Sequence, residues 1–472
     1  MCERTTSMFD QYAKQLINLI PDLPGLNKDE CRRALSSAYF YTIQQKLDAS
    51  RLGQTSDDVK NAVNLLRRLT DTLESFSVFD QETVLGLPSE NVKCACAFVA
   101  AEALALISSL IYDQTPKKDL DPISNESIYT TIETAFLYLI GNYSINAVSV
   151  IEKLIPCEIP AENEFSAEVA ARYNNANYVL SRIIALCSGN VRKPTDERRL
   201  IEPQSGFATS QSFENLSDEI RARLYSALAE AVDAYLDWLG GYDSLNLDDI
   251  LRLLKRIQSI LSSPKRDGLT EFSDIYHLCT LMMAVIKETS KRSLIHNVPM
   301  PGLEDQAERT IFSSYLQHRA RGEADKKGRP FLWPSAIEYI NDCLPGPHKN
   351  AVISMPTGSG KSFVAELAVV NALNRGWVLY LAPTNALVHQ IRRDLTVALR
   401  PFGRRIKIKA FIGDREYSTL SEEQINTQDA NFVAVMTPEK CALALRLSPE
   451  KFASCSLCVF DECHLLNDDR GI

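Results

Sequence analysis

Apolar positions recur every three to four residues through most of the first 320 positions, the period of a helix buried on one face. The pattern predicts helices near 8–20, 29–48, 56–78, 90–113, 124–141, 145–154, 165–188, 212–239, 247–262, 269–290 and 303–320. Asp57, Ser124 and Ser217 stand where N-caps are expected, and Gly240-Gly241 stops the helix running from Ala227 to Leu239. Residues 190–212, rich in charge, Pro, Ser and Gly, read as a linker. No fixed repeat period is visible, so a helical solenoid has no support.

Beyond Lys326-Lys327-Gly328-Arg329-Pro330 the pattern changes. Ala351 to Met355 is an apolar run of strand length, Phe363 to Leu373 a helical pattern stopped by Arg375-Gly376, and Ser456 to Phe460 a second apolar strand. Buried strands alternating with helices predict a parallel sheet. The expected fold is therefore mainly α at the N-terminus followed by α/β. Its expected parts are a helical domain over 1–189, the linker over 190–212, a helical continuation over 213–325, and an α/β domain over 326–472.

Chemistry enters at the ends of the two strands. Met355-Pro356-Thr357-Gly358-Ser359-Gly360-Lys361-Ser362 joins the first strand to a helix. A glycine-bearing turn there aims backbone N–H groups and the positive end of the helix at an anion. Thr357, Gly358, Ser359, Gly360, Lys361 and Ser362 thus form a candidate ATP-binding loop. Lys361 reaches toward the β- and γ-phosphates, and the Ser362 hydroxyl is a Mg²⁺ ligand. The usual pattern starts with Gly or Ala, and this chain has Met355 there. The second strand ends in Asp461-Glu462-Cys463-His464. Asp461 is suited to hold Mg²⁺ through water, Glu462 to position or deprotonate an attacking water, and His464 to relay the nucleotide state.

These elements together resemble the first RecA-like domain of a superfamily 2 helicase of the DExH type, in its Ski-like branch. Three further segments carry the resemblance: Ala382-Pro383-Thr384-Asn385-Ala386-Leu387-Val388, Gly413-Asp414, and Thr437-Pro438-Glu439-Lys440. So does the tail from His464-Leu465-Leu466 to Asp469-Arg470-Gly471. The resemblance covers about 30% of the chain and implies a partial RecA-like sheet of a P-loop NTPase. ATP and Mg²⁺ are the implied cofactors and DNA or RNA the implied partner. Pro383, Thr384, Asn385, Gly413, Asp414, Thr437 and Pro438 are the implied contacts to nucleic acid. Residues 331–336 lack the Gln with which the family often reads adenine, and Phe331 and Trp333 there have two readings, a base-stacking ring and a buried anchor.

In that family a second RecA-like domain follows and supplies arginine fingers, worth ~10³–10⁵ in rate in related phosphoryl transfer. The chain ends eight residues after His464. The expectation is an N-terminal portion of a helicase, an ATP hydrolase only when its second domain is present and inactive alone. Two alternatives stand beside it: a restriction-type translocase on duplex DNA, and a non-enzymatic partner-binding module with a vestigial or regulatory nucleotide site.

Composition refines this picture. The chain is 45% apolar and 24% charged, with a net charge of −9. Residues 326–472 carry 18 Lys and Arg against 15 Asp and Glu, leaving 33 against 45 for residues 1–325. So acidic a front half disfavours broad electrostatic binding to nucleic acid. Arg392, Arg393, Arg400, Arg404, Arg405, Lys407 and Lys409 face one acid, Asp394, and read equally as a phosphate track or a solvated face. Twelve cysteines without framework spacing suggest small buried groups in a reducing cytoplasm. Ala97 to Tyr112 reads as a buried helix too short to span a membrane, and the N-terminus lacks a signal-peptide pattern. The helical half shows no metal-ligand spacing, and His277, His296 and His318 are isolated in the sequence. By analogy with bacterial genome-defence helicases, that half is a candidate docking region for a protein effector.

Overall fold

The computed structural model describes residues 8–23, 25–47, 57–78, 89–111, 126–151, 179–192, 216–242, 245–262, 272–303, 305–323, 326–344, 350–355, 360–373, 375–411 and 431–463. The chain divides into two compact units, Met1–Lys291 and Arg292–Ile472.

The first unit is helical throughout its described residues. Its helices are α1 (Met8–Leu19), α2 (Lys28–Leu47), α3 (Asp57–Val78), α4 (Ser89–Ile111), α5 (Glu126–Ile140), α6 (Ser144–Ile151), α7 (Val179–Ser188), α8 (Leu216–Gly240), α9 (Leu247–Leu261) and α10 (Ser273–Ser290). Helix α9 shows how pattern becomes packing: Ile250, Leu254, Ile257 and Leu261 are its buried residues, one or two turns apart. Asn246 caps it, its side chain accepting from the N–H of Asp249. Gly241, just past α8, takes a left-handed φ of 63°, as expected of a glycine stop. Ser217 lies inside α8, because the helix begins one residue earlier, at Leu216. Ser124 falls outside the described residues.

Consecutive helices pack on one another from α1 to α6, and α10 returns against α5 and α3. Helix α4 sits among α2, α3 and α5. Its residues Asn91–Ile111 are long and apolar enough to cross a membrane by length and composition, more than the sequence stretch 97–112 suggested. More than half of that window is buried inside the bundle. Glu102 on α4 accepts from Tyr39 at 3.1 Å and Tyr138 at 2.8 Å, which ties α2 and α5 to it.

The second unit begins with α11 (Leu294–Asn297), α12 (Gln306–Arg321) and a small hairpin of β1 (Gly322–Glu323) and β2 (Lys326–Lys327). Then come α13 (Pro334–Asp342), α14 (Lys361–Ala372), β3 (Trp377–Leu381), α15 (Asn385–Ala398), β4 (Lys407–Ala410), β5 (Phe432–Met436), α16 (Pro438–Leu447) and β6 (Cys455–Phe460). The four longer strands form one parallel sheet in the order β4-β5-β3-β6. This is the partial RecA-like sheet that the sequence predicts.

Both faces of the sheet are covered, and side chains alternate between them. Val378, Tyr380, Val433 and Val435 join a core with α12, α13 and α14. Trp377, Leu379, Leu381, Phe432, Ala434 and Met436 join a second core with Phe411 and Ala444. Helix α14 is held to α12 through its buried Glu366, which accepts from the Tyr315 hydroxyl at 2.6 Å. Arg319 Nε also lies 3.0 Å from Glu366, off the hydrogen-bond line, and its guanidinium covers the Phe363 ring.

One expected strand does not form. Residues 351–355 belong to no strand, and Val352 is 92% exposed. An apolar run names a strand's composition but not its partner. The outermost strand, β6, pairs only with β3 among the described residues, and its Phe460 is 50% exposed. Only Met355 of the run packs on the core.

Trp377 anchors the second core. It is fully buried, donates its indole N–H to the carbonyl of Lys451 at 3.1 Å, and meets Phe452 edge-on. Trp377→Ala removes that volume and the indole N–H that bonds the Lys451 carbonyl. The expected loss is ~3–5 kcal/mol of unfolding free energy, read as a lower urea midpoint for the second unit.

Candidate functional site

The residues singled out in the second unit converge on the carboxyl edge of the sheet, where open α/β sheets bind ligands. Gly360 opens α14 with φ 96° and ψ 17°, a left-handed conformation that side-chain-bearing residues rarely adopt. Its Cα faces the indole of Trp333, where an added Cβ would lie 3.4 Å from Cδ1. Lys361 and Ser362 form the first turn of α14, so their backbone N–H groups point out of the helix start. Thr357, Gly358 and Ser359 lie outside the described residues.

Strand β6 ends at Phe460, opposite Leu381 of β3. The N–H of Asp461 still bonds to the Leu381 carbonyl at 3.0 Å, so the Asp461 backbone is fixed by the sheet. Glu462 then turns with φ 52°. A non-glycine residue held in that region costs ~1–3 kcal/mol and marks a functional turn often enough to support a site assignment. The turn brings Glu462 Oε1 to 4.0 Å from Lys361 Nζ. Both side chains are over a third exposed, so the pair contributes little stability; its value is positional. Burial raises the Asp461 carboxyl above the usual range, and the neighbouring Glu462 raises it further. The backbone N–H, Lys361 and the Tyr380 hydroxyl work in the opposite direction. His464 lies outside the described residues.

Two more helices start at the same edge. Thr384 caps α15, its hydroxyl accepting from the N–H of Leu387 at 3.3 Å, and Asn385 is exposed in the first turn. Thr437 and Pro438 open α16, where Thr437 makes no capping hydrogen bond. Because Leu381 and Met436 are register partners and the Ala382 N–H bonds to Met436 O, the two helix starts are neighbours. Adjacent helix N-termini suit successive phosphates of a backbone. Gly413 and Asp414 fall outside the described residues.

The basic run does not join this edge. Helix α15 leads away from the carboxyl edge, and β4 starts again at the opposite end of the sheet, Lys407 pairing with Phe432. Arg392, Arg393, Arg405 and Lys407 are exposed, Arg400 pairs with Glu323 at 2.6 Å, and Lys409 lies over the Phe432 ring. A solvated face fits them better than a track through the site.

Phe331 and Trp333 separate. Phe331 is bridged to Ser293 and covered by the Arg292 guanidinium, an anchor. Trp333 is 40% exposed beside Gly360, placed for stacking. Tyr380 was not legible as a site residue, because it sits within an apolar strand and carries no spacing signal. The site residues fit Mg²⁺-ATP in kind: a helix start opened by a left-handed glycine, a lysine, and a carboxylate pair at one edge.

Residues 334–472 match the sequence model of the DEAD/DEAH box helicase family, and this segment is a DEAD/DEAH helicase domain. Among curated proteins, the chain is similar to the ATP-dependent DNA helicase MER3 homolog of Oryza sativa subsp. japonica, 33% identical over 30% of this chain and 13% of that protein. It is also similar to the pre-mRNA-splicing factor brr2 of Schizosaccharomyces pombe, 30% identical over 27% of this chain and 6% of that protein. The RQC trigger complex helicase SLH1 of Saccharomyces cerevisiae is 33% identical over 26% of this chain and 6% of its own length. The chain thus spans a small part of these relatives, and the shared part is the first RecA-like region. The Ski-like DExH resemblance agrees with them.

The raised Asp461 carboxyl has a sign that can be checked. The folded state favours its protonated form, so it costs stability as pH rises through the raised pKa and costs nothing well below it. Asp461→Asn removes that cost. The variant's melting temperature without added ligand is expected to equal the wild type's near pH 3.5 and to exceed it at pH 7, with Mg²⁺-dependent nucleotide binding lost. Differential scanning fluorimetry across pH checks the first part, and an equal deficit at both pH values would contradict it.

Proposed function

We propose that this chain is the ATP-binding and helical front of an ATP-dependent nucleic-acid helicase or translocase. Asp461, Glu462 and Lys361 meet at the carboxyl edge beside two neighbouring helix N-termini, and this one juxtaposition carries the reading. Thr357 to Ser362 bind the nucleotide, with Lys361 on its outer phosphates. Ser362 and Asp461 hold Mg²⁺, whose bound presence supplies charge neutralisation at the phosphates. Glu462 orients the attacking water and accepts its proton, with His464 following the nucleotide state. Trp333 takes over base stacking where the adenine-reading Gln is missing.

Pro383, Thr384, Asn385, Gly413, Asp414, Thr437 and Pro438 hold a nucleic-acid strand by its backbone. DNA and RNA fit alike, since the contacts are to phosphate and sugar and carry no sequence information. Hydrolysis becomes productive when a second RecA-like domain supplies an arginine, as the family resemblance implies. The cytoplasm is the proposed location, on the composition of the chain and its cysteine usage.

Equilibrium titration of the chain with a fluorescent ATP analogue and Mg²⁺ tests the nucleotide half. Lys361→Ala is expected to weaken binding by more than ~10-fold, about 1.4 kcal/mol. Unchanged binding would overturn the assignment. Thr437→Asp places a negative charge at the start of α16, and is expected to weaken binding of a fluorescent single-stranded oligonucleotide by a similar factor, with a smaller salt slope.

A further inference from the structure

The helical unit contains a second polar centre that the proposed ATP chemistry does not use. Helices α3, α5 and α10 bring Glu74, Glu133 and His277 to one point, with one ligand-type atom from each within 4.8 Å of the others. In sequence these residues are 59 and 144 positions apart, which is why His277 read as isolated; the structure corrects that reading. His277 Nε2 meets Glu74 Oε1, and its Nδ1 faces the Tyr129 hydroxyl. Glu133 is 8% exposed.

The surroundings add two acids, each with an arginine acting on it. Asp71, one turn before Glu74, is exposed, with Arg67 of the same helix acting on it. Asp274, one turn before His277, has one oxygen on Arg221 and Tyr225. Its other oxygen, Oδ1, is fully buried and has no hydrogen-bond partner. A buried carboxylate, a half-buried one and an imidazole thus share one point, where a bound cation would offset the burial of their charge.

We propose that Glu74, Glu133 and His277 form a binding site for one divalent transition-metal ion of the Mn²⁺ or Zn²⁺ class, with Tyr129 as a positioning residue. One imidazole nitrogen and two carboxylate oxygens make a mixed N/O donor set suited to that class. Three protein ligands from three helices leave further coordination positions open. The contact between Tyr129 and Nδ1 fixes the ring so that Nε2 faces the site, the usual arrangement for a metal-bound histidine.

Without metal, the pocket holds protons. Burial, then Glu74, pushes the Glu133 carboxyl up to about 8. Burial lowers the His277 pKa, but Glu74, Glu133 and Asp71 more than offset it, and the net shift is upward. The ion takes the place of the proton held by Glu133, which passes to the buffer.

The test uses the full chain, stripped with a chelator and titrated by calorimetry with Mn²⁺ and then Zn²⁺. Buffers of different ionisation enthalpy report the proton release. One equivalent of Mn²⁺ is expected to bind, with protons released at pH 7 and weaker affinity at pH 6 than at pH 7.5. Glu133→Gln and His277→Gln retain hydrogen-bonding groups, and each is expected to weaken binding by more than ~10-fold while keeping the helical circular dichroism. Two variants on different helices keep the test open should one fail to fold. Binding that survives both substitutions, including Zn²⁺ held by cysteine thiols, overturns the proposal. So does the absence of stoichiometric binding, which would leave the cluster as a proton-bridged ion pair.

Discussion

Parallel pairing of β5, β3 and β6 sets the ends of three strands on one line, and everything in the candidate nucleotide site hangs from that line. Met436, Leu381 and Phe460 are register partners across the sheet. Polar groups follow each strand: Thr437 and Asp461 directly, and Thr384 three residues after Leu381. A one-residue slip in any strand would turn its alternating side chains to the opposite face and move its polar end out of line. The register is held by two apolar cores of opposite parity, so the packing that stabilises the sheet is also what aligns the chemistry.

The strain at Glu462 follows from the same constraint. The Asp461 backbone is fixed by its bond to Leu381, so the direction of the next side chain is set by one pair of dihedrals. A left-handed turn there sends Glu462 toward Lys361 at the head of α14. The Gly360 turn on the other side needs no such cost, because glycine adopts it freely. The two left-handed residues, Gly360 next to Lys361 and Glu462 itself, bring a helix start and a strand end to the same few ångströms.

Much of this was legible in the sequence, for identifiable reasons. The period of 3.6 in the helical half and the apolar run ending in Asp461 are local signals, and local signals found α1 to α6, α8 to α10, α12 and β6. Residues 351–355 failed as a strand because pairing is not local: nothing in an apolar pentapeptide names its neighbour. The role of Tyr380 was hidden by the same limit, since a tyrosine inside a buried strand looks like core until the adjacent strand places Asp461 on its hydroxyl. The Glu74–Glu133–His277 cluster is the extreme case. Its members are single polar residues on three amphipathic helices, and only the packing of α10 against α5 and α3 brings them together.

Both polar centres solve one electrostatic problem in different ways. At the sheet edge, Asp461 and Glu462 repel each other, but Lys361 stands opposite and solvent screens the rest, so Asp461 is raised only as far as burial and one neighbour push it. In the helical unit, Glu133 has Glu74 beside it and little solvent, and the His277 imidazole works against the upward shift. Burial disfavours each bare charge. Such an excess of acid is answered by the proton that Glu133 holds, or by the metal ion proposed above. The sheet edge carries its counter-charge in its own sequence, in Lys361. Of the three groups at the helical centre only His277 can carry positive charge, and the proposed ion comes from solution.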